Sequence, residues 1–355
     1  MASLHRLLSL VPLLLLIILS AQNLGSLEAE ARNVKNPTKL LFAFGDSYAD
    51  TGNVRRDAVA SSWKQPYGIT FPGKPAGRFS NGRVLTDFLA KYLGVRSPVP
   101  YRMRNLMPQY MKYGINFAYG GTGVFNTFSA DPNMTLQIDF FQALIRDKVY
   151  SSAELRNSVA LVSVAGNDYS FYLQRNGATE VTPKFMASVV KQTVKNVARI
   201  HALGVKKIAV SGLQPVGCLP KTTALSSFSQ CNSTFNDFAT RHNNLLRRGL
   251  VKLKQQETNN DNSSIVILDL YDSFMSVLNH PSSYKIKNHF KPCCVGLSSQ
   301  YACGSVDDKS MVKKYRVCND PKSAFFWDLV HPTQSGWHAV YSNLRATSNV
   351  LQQLH

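Results

Sequence analysis

The chain has 355 residues, 44% hydrophobic and 17% charged, so it is long and apolar enough to bury a core and is not a disordered polymer. Its formal net charge of +19 would suit nucleic acid, anionic lipid or an acidic extracellular matrix. The lysines and arginines are scattered along the chain and no nucleic-acid-binding motif accompanies them, so we predict no nucleic-acid partner.

The N-terminus is typical of a secretory signal peptide. Leu7 to Leu19 form a mostly apolar run that is too short to cross a bilayer comfortably. Arg6 precedes the run, and Ala29-Glu30-Ala31 offers a signal peptidase the small residues that it recognises. We therefore predict cleavage between residues 21 and 31, a secreted extracellular protein and no transmembrane anchor.

Short apolar segments then alternate with amphipathic helices. Predicted strands cover 40–44, 115–118, 159–164, 207–211 and 265–270, and predicted helices cover 82–93, 135–147, 183–203, 234–256 and 333–351. This alternation predicts a single domain over 32–355, with a mostly parallel sheet covered by helices on both faces. Residues 280–327 break the pattern, because they carry four cysteines and little periodicity, and we predict a disulfide-stapled irregular insertion there.

All the cysteines lie in the C-terminal half of the chain. In an oxidising compartment they predict up to three disulfides, and the spacing leaves all 15 connectivities open. A zinc site is the alternative, but the chain has no suitable CxxC pairs, so we predict no metal. The six disulfide candidates are Cys218, Cys231, Cys293, Cys294, Cys303 and Cys318.

Three Asn-x-Ser/Thr triplets are acceptor sequences for N-glycans in a secreted protein. They begin at Asn133, Asn232 and Asn262. Such triplets also arise by chance, so each is a candidate glycosylation site.

Ser47 follows the first predicted strand directly, in the stretch "FAFGDSYADTGN". At the carboxyl end of a buried strand a serine is placed where a nucleophile would be exposed. The stretch is not a GxSxG elbow, because Ala49 occupies the second glycine position. Taken alone, Ser47 is better explained as a helix cap or a turn residue.

A serine nucleophile needs a base, and His331 in "DLVHPT" is the best placed of the eight histidines. Asp328 precedes it by three residues, in a segment that should turn before the last helix. That spacing lets the carboxylate reach the imidazole Nδ1–H and hold the ring in one tautomer. The alternative is that Asp328 caps the final helix.

Two further segments offer donors for a developing oxyanion. Gly120, Gly121 and Gly123 follow a predicted strand in "NFAYGGTGV", and Asn167 follows another in "VAGNDY". Glycine-rich turns and Asn-Asp loops are common, so neither segment is specific alone. Together with the serine and histidine segments they place one hydrolase constellation at the strand ends of a single sheet.

These four blocks, in this order, resemble the GDSL esterase/lipases of the SGNH hydrolase superfamily, and the plant secreted branch most of all. The resemblance runs from about Lys39 to the end of the last predicted helix, through "FAFGDSYADTGN", "RFSNGRVLTDFLA", "GINFAYGGTGV", "GNDY" and "DLVHPT". It implies a three-layer α/β/α, flavodoxin-like SGNH hydrolase fold and a Ser-His-Asp hydrolase.

The resemblance also implies a role for each matching residue. Ser47 is similar to the family nucleophile, His331 to its base and Asp328 to the acid that orients the base. Gly121, with Gly120 as its neighbour, and Asn167 match the oxyanion donors. One departure stands out, since Ala165 occupies a position where the family usually has glycine.

The resulting interpretation is a secreted, glycosylated carboxylic ester hydrolase that forms an acyl-enzyme and needs no cofactor. Its substrate is a small-molecule or polymer-linked ester. One alternative is a cell-wall polysaccharide O-acetylesterase or an acyltransferase, for which the positive charge would favour an acidic cell-wall matrix. Another is a non-catalytic binding protein on the same fold, against which the complete residue set argues.

Overall fold

The computed structural model describes residues 39–56, 61–177, 180–257, 263–307, 309–347 and 349–355. The predicted signal peptide and the Asn262 sequon lie outside these ranges. A six-stranded sheet in which every pairing is parallel occupies the centre, in the order β2-β3-β1-β4-β5-β6. Its strands are β1 (Leu41–Gly45), β2 (Val99–Pro100), β3 (Ile115–Asn116), β4 (Val159–Ser163), β5 (Lys207–Ser211) and β6 (Ser264–Leu268).

Helices cover both faces of this sheet, so the predicted α/β/α fold is confirmed. They are α1 (Leu85–Tyr92), α2 (Met134–Arg146), α3 (Ser152–Arg156), α4 (Gly166–Asn176), α5 (Pro183–Ala202), α6 (Pro220–Thr223), α7 (Ser233–Glu257), α8 (Leu270–Asn279) and α9 (Gln334–Thr347).

The two faces of the sheet bury separate cores, because successive side chains of a strand point to opposite sides. On β1, Leu41 and Ala43 pack into the core closed by α1, α8 and α9. Phe42 and Phe44 pack into the core closed by α2, α5 and α7. A strand buried on both faces reads as a continuous apolar run, which is why β1 could be recognised in the sequence.

The order of the strands fixes where a site can form. From β1 the sheet extends in one direction through β3 to β2, and in the other through β4 and β5 to β6. The direction reverses beside β1, and in open parallel sheets a crevice opens at the carboxyl ends of the strands at that point. Ser47 lies two residues beyond β1.

Four helices were missed in the sequence, the short α3 and α6 and the longer α4 and α8, and so was the short strand β2. Helix α4 begins just after β4, where only a loop was expected, and α8 begins at Leu270, which was assigned to a strand over 265–270. The strand ends earlier because Asp269 caps α8, with its Oδ1 accepting the Asp272 N–H at 3.0 Å. The other predicted elements are present, with ends displaced by a few residues; α1 begins at Leu85 instead of residue 82.

The cysteine-rich segment contains a small antiparallel pair, β7 (Cys294–Gly296) and β8 (Tyr315–Val317). Disulfides join Cys293 to Cys318 and Cys294 to Cys303. A third disulfide joins Cys218 to Cys231, near the cavity described below. The three pairings settle which of the open connectivities the chain adopts.

Within the described residues, no helix combines the length and the apolar character needed to cross a bilayer.

Candidate active site

The structure brings Ser47, His331 and Asp328 into one hydrogen-bonded chain. Ser47 Oγ lies 2.8 Å from His331 Nε2, across a sequence separation of 284 residues. His331 Nδ1 lies 2.9 Å from both carboxylate oxygens of Asp328. Because the carboxylate only accepts, the Nδ1 proton points toward it and Nε2 is left as the acceptor for the serine hydroxyl.

Asp328 is held by donors on both of its oxygens. Oδ1 accepts the backbone N–H groups of Val330 and His331, each at 2.8 Å, and Oδ2 accepts the Tyr67 hydroxyl at 2.7 Å. Burial by itself would raise the pKa of Asp328, but the charge of His331 and the hydrogen bonds from His331, Tyr67 and Val330 together lower it below its usual value. The acid therefore stays a carboxylate beside the imidazole.

Asp46 is buried immediately before Ser47. Burial raises its pKa to about 7, and the charges of Asp168 and Asp50 add to the rise, while the Tyr48 N–H and His331 oppose it. Its Oδ1 accepts the Tyr48 N–H at 3.1 Å. This carboxyl group, next to Ser47 in the chain, therefore has a pKa raised to near neutral pH.

Asp50 connects the loop that carries Ser47 to the loop that carries Gly120 and Gly121. Its carboxylate accepts four backbone N–H groups, from Gly52 and Asn53 at 2.7 Å, from Gly120 at 2.9 Å and from Val54 at 3.3 Å. Burial raises the pKa of Asp50 to about 6 against the effect of these four donors.

The same contact distinguishes the two glycine candidates. The Gly120 N–H is already engaged by Asp50 and is not available to a substrate. In the part of the chain that the structure describes, no hydrogen bond occupies the N–H of Gly121 or of Ser47. Gly121 has a φ of +82°, a conformation that glycine adopts without strain.

Asn167 lies at the start of α4, half-buried, and its Nδ2 donates to the Thr122 carbonyl at 3.0 Å. An amide nitrogen carries two protons, so one remains for a substrate oxygen. The Thr122 contact also links Asn167 to the residue next to Gly121. Ala165, two residues before Asn167, has a φ of +103°, which strains any residue with a side chain and accounts physically for a glycine in the family pattern.

Asp168 holds the glycine loop from the other side. Its two carboxylate oxygens accept the N–H groups of Val124 at 3.0 Å and Phe125 at 2.9 Å. Burial raises its pKa to about 6, opposed by these two donors. The loop between Gly120 and Phe125 is thus fixed by one carboxylate at each end.

Ser47 and Asn167 open into a cavity of about 1220 Å³. Its walls come from α4, α5, α7 and the segment after β5. Most of the large side chains along it are apolar, including Leu173, Met186, Leu213, Leu225, Phe235, Phe238 and Leu245. Gly121 is not among the lining residues. The cavity can accommodate an extended apolar group beside the serine.

The two described sequons lie at helix starts. Asn133 Oδ1 caps α2 by accepting the Leu136 N–H at 3.2 Å, and Asn232 Oδ1 accepts the Phe235 N–H at 3.2 Å at the start of α7. Asn232 is exposed and Asn133 is partly exposed. Within the described ranges, no group of three or more His, Cys, Asp and Glu side chains is arranged to hold a metal ion.

Sequence reasoning missed four side chains that support this site. Asp46, Asp50 and Asp168 stand inside the quoted motifs, so a search for acids within them would have found these three. Tyr67 stands in "WKQPYG", which carries no motif, and its contact with Asp328 spans 261 residues. Only the folded chain reveals that contact.

Comparisons with known proteins show which family the chain resembles over most of its length. Residues 41–344 match the family model described as GDSL-like lipase/acylhydrolase. A GDSL esterase/lipase of Arabidopsis thaliana is 56% identical over 315 residues, covering 87% of this chain and 86% of the relative, and a second is 50% identical, covering 86% of each. A solved alpha/beta hydrolase from the metagenome of Lake Arreo matches at 12% identity with a TM-score of 0.39, covering 89% of this chain and 96% of that one.

Proposed function

The chain belongs to the GDSL-like lipase/acylhydrolase family and is a carboxylic ester hydrolase, and from this premise we propose that Ser47 is its nucleophile, with His331 and Asp328 as its base and orienting acid. The observation that carries the proposal is the continuous chain from Ser47 Oγ to His331 Nε2 and from His331 Nδ1 to Asp328.

In the first step Ser47 Oγ attacks the ester carbonyl carbon while His331 Nε2 takes the hydroxyl proton. The imidazolium that forms is stabilised by the carboxylate 2.9 Å from Nδ1. His331 then gives its Nε2 proton to the departing alcohol, and the acyl group remains on Ser47. Water then attacks the carbonyl carbon of the acyl-enzyme while His331 Nε2 takes a proton from it. His331 gives that proton to Ser47 Oγ as the bond to the acyl group breaks, and the carboxylic acid leaves.

The negative charge on the carbonyl oxygen needs donors that are in place before the reaction begins. We assign this role to the N–H groups of Ser47 and Gly121 and to the second amide proton of Asn167. The proposal is supported by the unoccupied N–H groups among the described residues and by the contact that joins Asn167 to Thr122.

The cavity favours an ester with a bulky apolar group. Its volume of about 1220 Å³ exceeds the roughly 300–1,000 Å³ of most ligand pockets, and an acetyl group would leave most of its apolar wall without contact. We therefore expect kcat/KM to rise from acetate to medium-chain p-nitrophenyl esters. The reverse order would favour the O-acetylesterase alternative.

We also propose that the protein is secreted to the cell exterior. It is supported by three disulfides, which persist in oxidising compartments, and by the leader-like N-terminal sequence. Asn133 and Asn232 would then carry N-glycans, since a glycan on Nδ2 leaves the capping Oδ1 free. Intact-mass measurement of protein from culture medium, before and after glycosidase treatment, tests both statements.

A fluorophosphonate probe tests the nucleophile directly. The purified enzyme should take up one equivalent on Ser47 and lose its activity, whereas Ser47→Ala should take up none and lose on the order of a millionfold in kcat. Ser170→Ala is the matched control, because Ser170 is an exposed serine lining the same cavity. Retained turnover in folded Ser47→Ala would refute the proposed mechanism.

A further inference from the structure

Tyr67 contacts the acid of the site from outside every motif in the sequence. Its hydroxyl donates to Asp328 Oδ2 at 2.7 Å, and only 2% of the residue is exposed. Burial, followed by the charge of Asp328, raises the pKa of Tyr67 well above its ordinary value, so the hydroxyl remains a proton donor.

The two oxygens of Asp328 are not held equally. Oδ1 accepts two backbone amides, from Val330 and His331, which are fixed by the turn itself. Apart from His331, the described residues offer Oδ2 one hydrogen-bond donor, the Tyr67 hydroxyl. Without it, the described contacts of Oδ2 are reduced to the one with His331 Nδ1, the group that the carboxylate has to orient.

Tyr67 and the peptide that carries Asp328 are packed in one small cluster. Its buried members are Tyr67, Cys293, Cys294, Cys303, Tyr315, Ala324 and Trp327. The Tyr67 and Trp327 rings meet edge to face, with centroids 6.0 Å apart, and the Cys294 N–H donates to the Trp327 carbonyl at 2.6 Å. Trp327 directly precedes Asp328, so the disulfide-bonded cluster sets the position of both hydrogen-bonding partners.

We propose that Tyr67 is a positioning residue for this hydrolase, locking the Asp328 carboxylate so that His331 keeps its Nδ1 proton and its aim at Ser47. The inference rests on the proposed roles of these three residues. A hydrogen bond to a charged, buried group is worth more than a neutral one, and its loss leaves Oδ2 with His331 as its hydrogen-bond partner among the described residues.

A purely structural role makes a different prediction. If Tyr67 only fills the cluster and satisfies a buried oxygen, its hydroxyl contributes to folding and not to the reaction. Removing that hydroxyl would then lower the melting temperature and leave kcat unchanged.

The matched pair of variants Tyr67→Phe and Tyr315→Phe separates the two roles. Both residues are tyrosines of the same cluster, 2% and 8% exposed, but the Tyr315 hydroxyl does not bond to Asp328. On a soluble ester, Tyr67→Phe should lose roughly tenfold in kcat with KM within about twofold of wild type, while Tyr315→Phe keeps both values. A Tyr67→Phe kcat within about twofold of wild type, or an equal loss in Tyr315→Phe, would overturn the inference.

A double variant identifies the route of the effect. In the Asp328→Ala background, adding Tyr67→Phe should cost no further activity, because the carboxylate on which Tyr67 acts is absent. A further loss there equal to that in the wild-type background would overturn the inference. Failure of the proposed function itself is distinguishable, since it would appear as retained turnover in Ser47→Ala whatever Tyr67→Phe does.

A second replacement covers the case in which Tyr67→Phe does not fold. Site-specific 3,5-difluorotyrosine at position 67 keeps the shape of the side chain and makes its hydroxyl a stronger donor. We expect kcat to fall by a few-fold, because the stronger hydrogen bond draws charge from the carboxylate, which then stabilises the imidazolium less. The same substitution at position 315 should leave kcat unchanged. Unchanged kcat at position 67 would overturn the inference.

Discussion

Both halves of the site contain buried carboxyl groups, but the pKa values of these groups are shifted in opposite directions. The strand-borne half, which consists of Ser47, Gly121, Asn167 and their loops, contains Asp46, Asp50 and Asp168, with pKa values raised by burial to about 7, 6 and 6. The loop-borne half, which consists of Asp328 and His331, contains one acid whose pKa is lowered despite burial.

The difference lies in the donors. The three strand-borne carboxylates accept neutral backbone N–H groups, which position loops but do not fully compensate a buried charge. Asp328 faces an imidazole and a phenol hydroxyl as well as amides. The acids of the strand-borne half therefore hold backbone in place, whereas the acid of the loop-borne half is proposed to support a charge that forms during the reaction.

After Ser47→Ala, the largest expected effect comes from Asp328→Asn. With Oδ1 kept by the two amides, the new NH₂ would replace Oδ2 and donate to His331 Nδ1, forcing the proton to Nε2, where it blocks acceptance from Ser47. By analogy with the serine-protease triad, kcat should fall roughly 10⁴-fold. Steady-state kinetics with a melting curve as control measures this, and near-normal kcat in the folded variant would contradict the pairing.

Asn167→Ala tests the strand-borne half in the same assay. Loss of an oxyanion donor acts mainly in the transition state, so kcat should fall by the equivalent of about 3–4 kcal/mol, with a smaller change in KM. Gln174→Ala is the control, because it removes an exposed amide from the same helix and the same cavity wall. A change confined to KM would assign Asn167 to substrate binding instead.

The opposite pKa shifts predict opposite dependences of stability on pH. The pKa of Asp46 in the folded protein is about 7, above its ordinary value of 3.8. Its contribution to the free energy of unfolding is therefore fully present below about pH 3.8 and is lost as pH rises through 7. The pKa of Asp328 is lowered, so this residue stabilises the folded protein at pH values above the ordinary pKa of an aspartate. That stabilisation is lost as pH falls through the lowered pKa of the folded state.

Asp46→Asn removes the first of these terms while its amide oxygen can still accept the Tyr48 N–H. The free energy of unfolding of the variant, minus that of wild type, should therefore grow by about 3 kcal/mol from pH 5 to pH 8. Denaturant unfolding at both pH values measures the gain, with the exposed Asp147→Asn as control. A constant difference between variant and wild type would show that the pKa of Asp46 is not raised in the folded protein and that its carboxyl group is already ionised at pH 5.

The smallest expected effect on kcat comes from removing a disulfide, and it should differ between two of the three disulfides. Removing Cys293–Cys318 or Cys218–Cys231 by paired serine substitutions opens loops of 25 and 13 residues, and each should cost about 3 kcal/mol of stability. Only the first pair lies in the cluster that carries Asp328, so only its loss should lower kcat, by a few-fold. Equal kcat values for the two variants would mean that the staples act on stability alone.

Much of the site could be predicted because its information is local. A buried strand ending at Gly45 places Ser47, and the three-residue spacing of "DLVH" is enough for a carboxylate to reach the imidazole across one turn. The exact helix starts were less predictable, since α8 depends on the cap formed by Asp269 and not on periodicity.

What the sequence by itself determined is the alternation of strands and helices, the oxidisable cysteines and the residue types at the strand ends, because each is encoded within a window of a few residues. Only the tertiary structure decided which cysteines pair, which glycine N–H is left for a substrate, and that Tyr67 meets Asp328. These contacts join segments far apart in the chain, and their partners are chosen by packing around a shared core and not by any pattern along it.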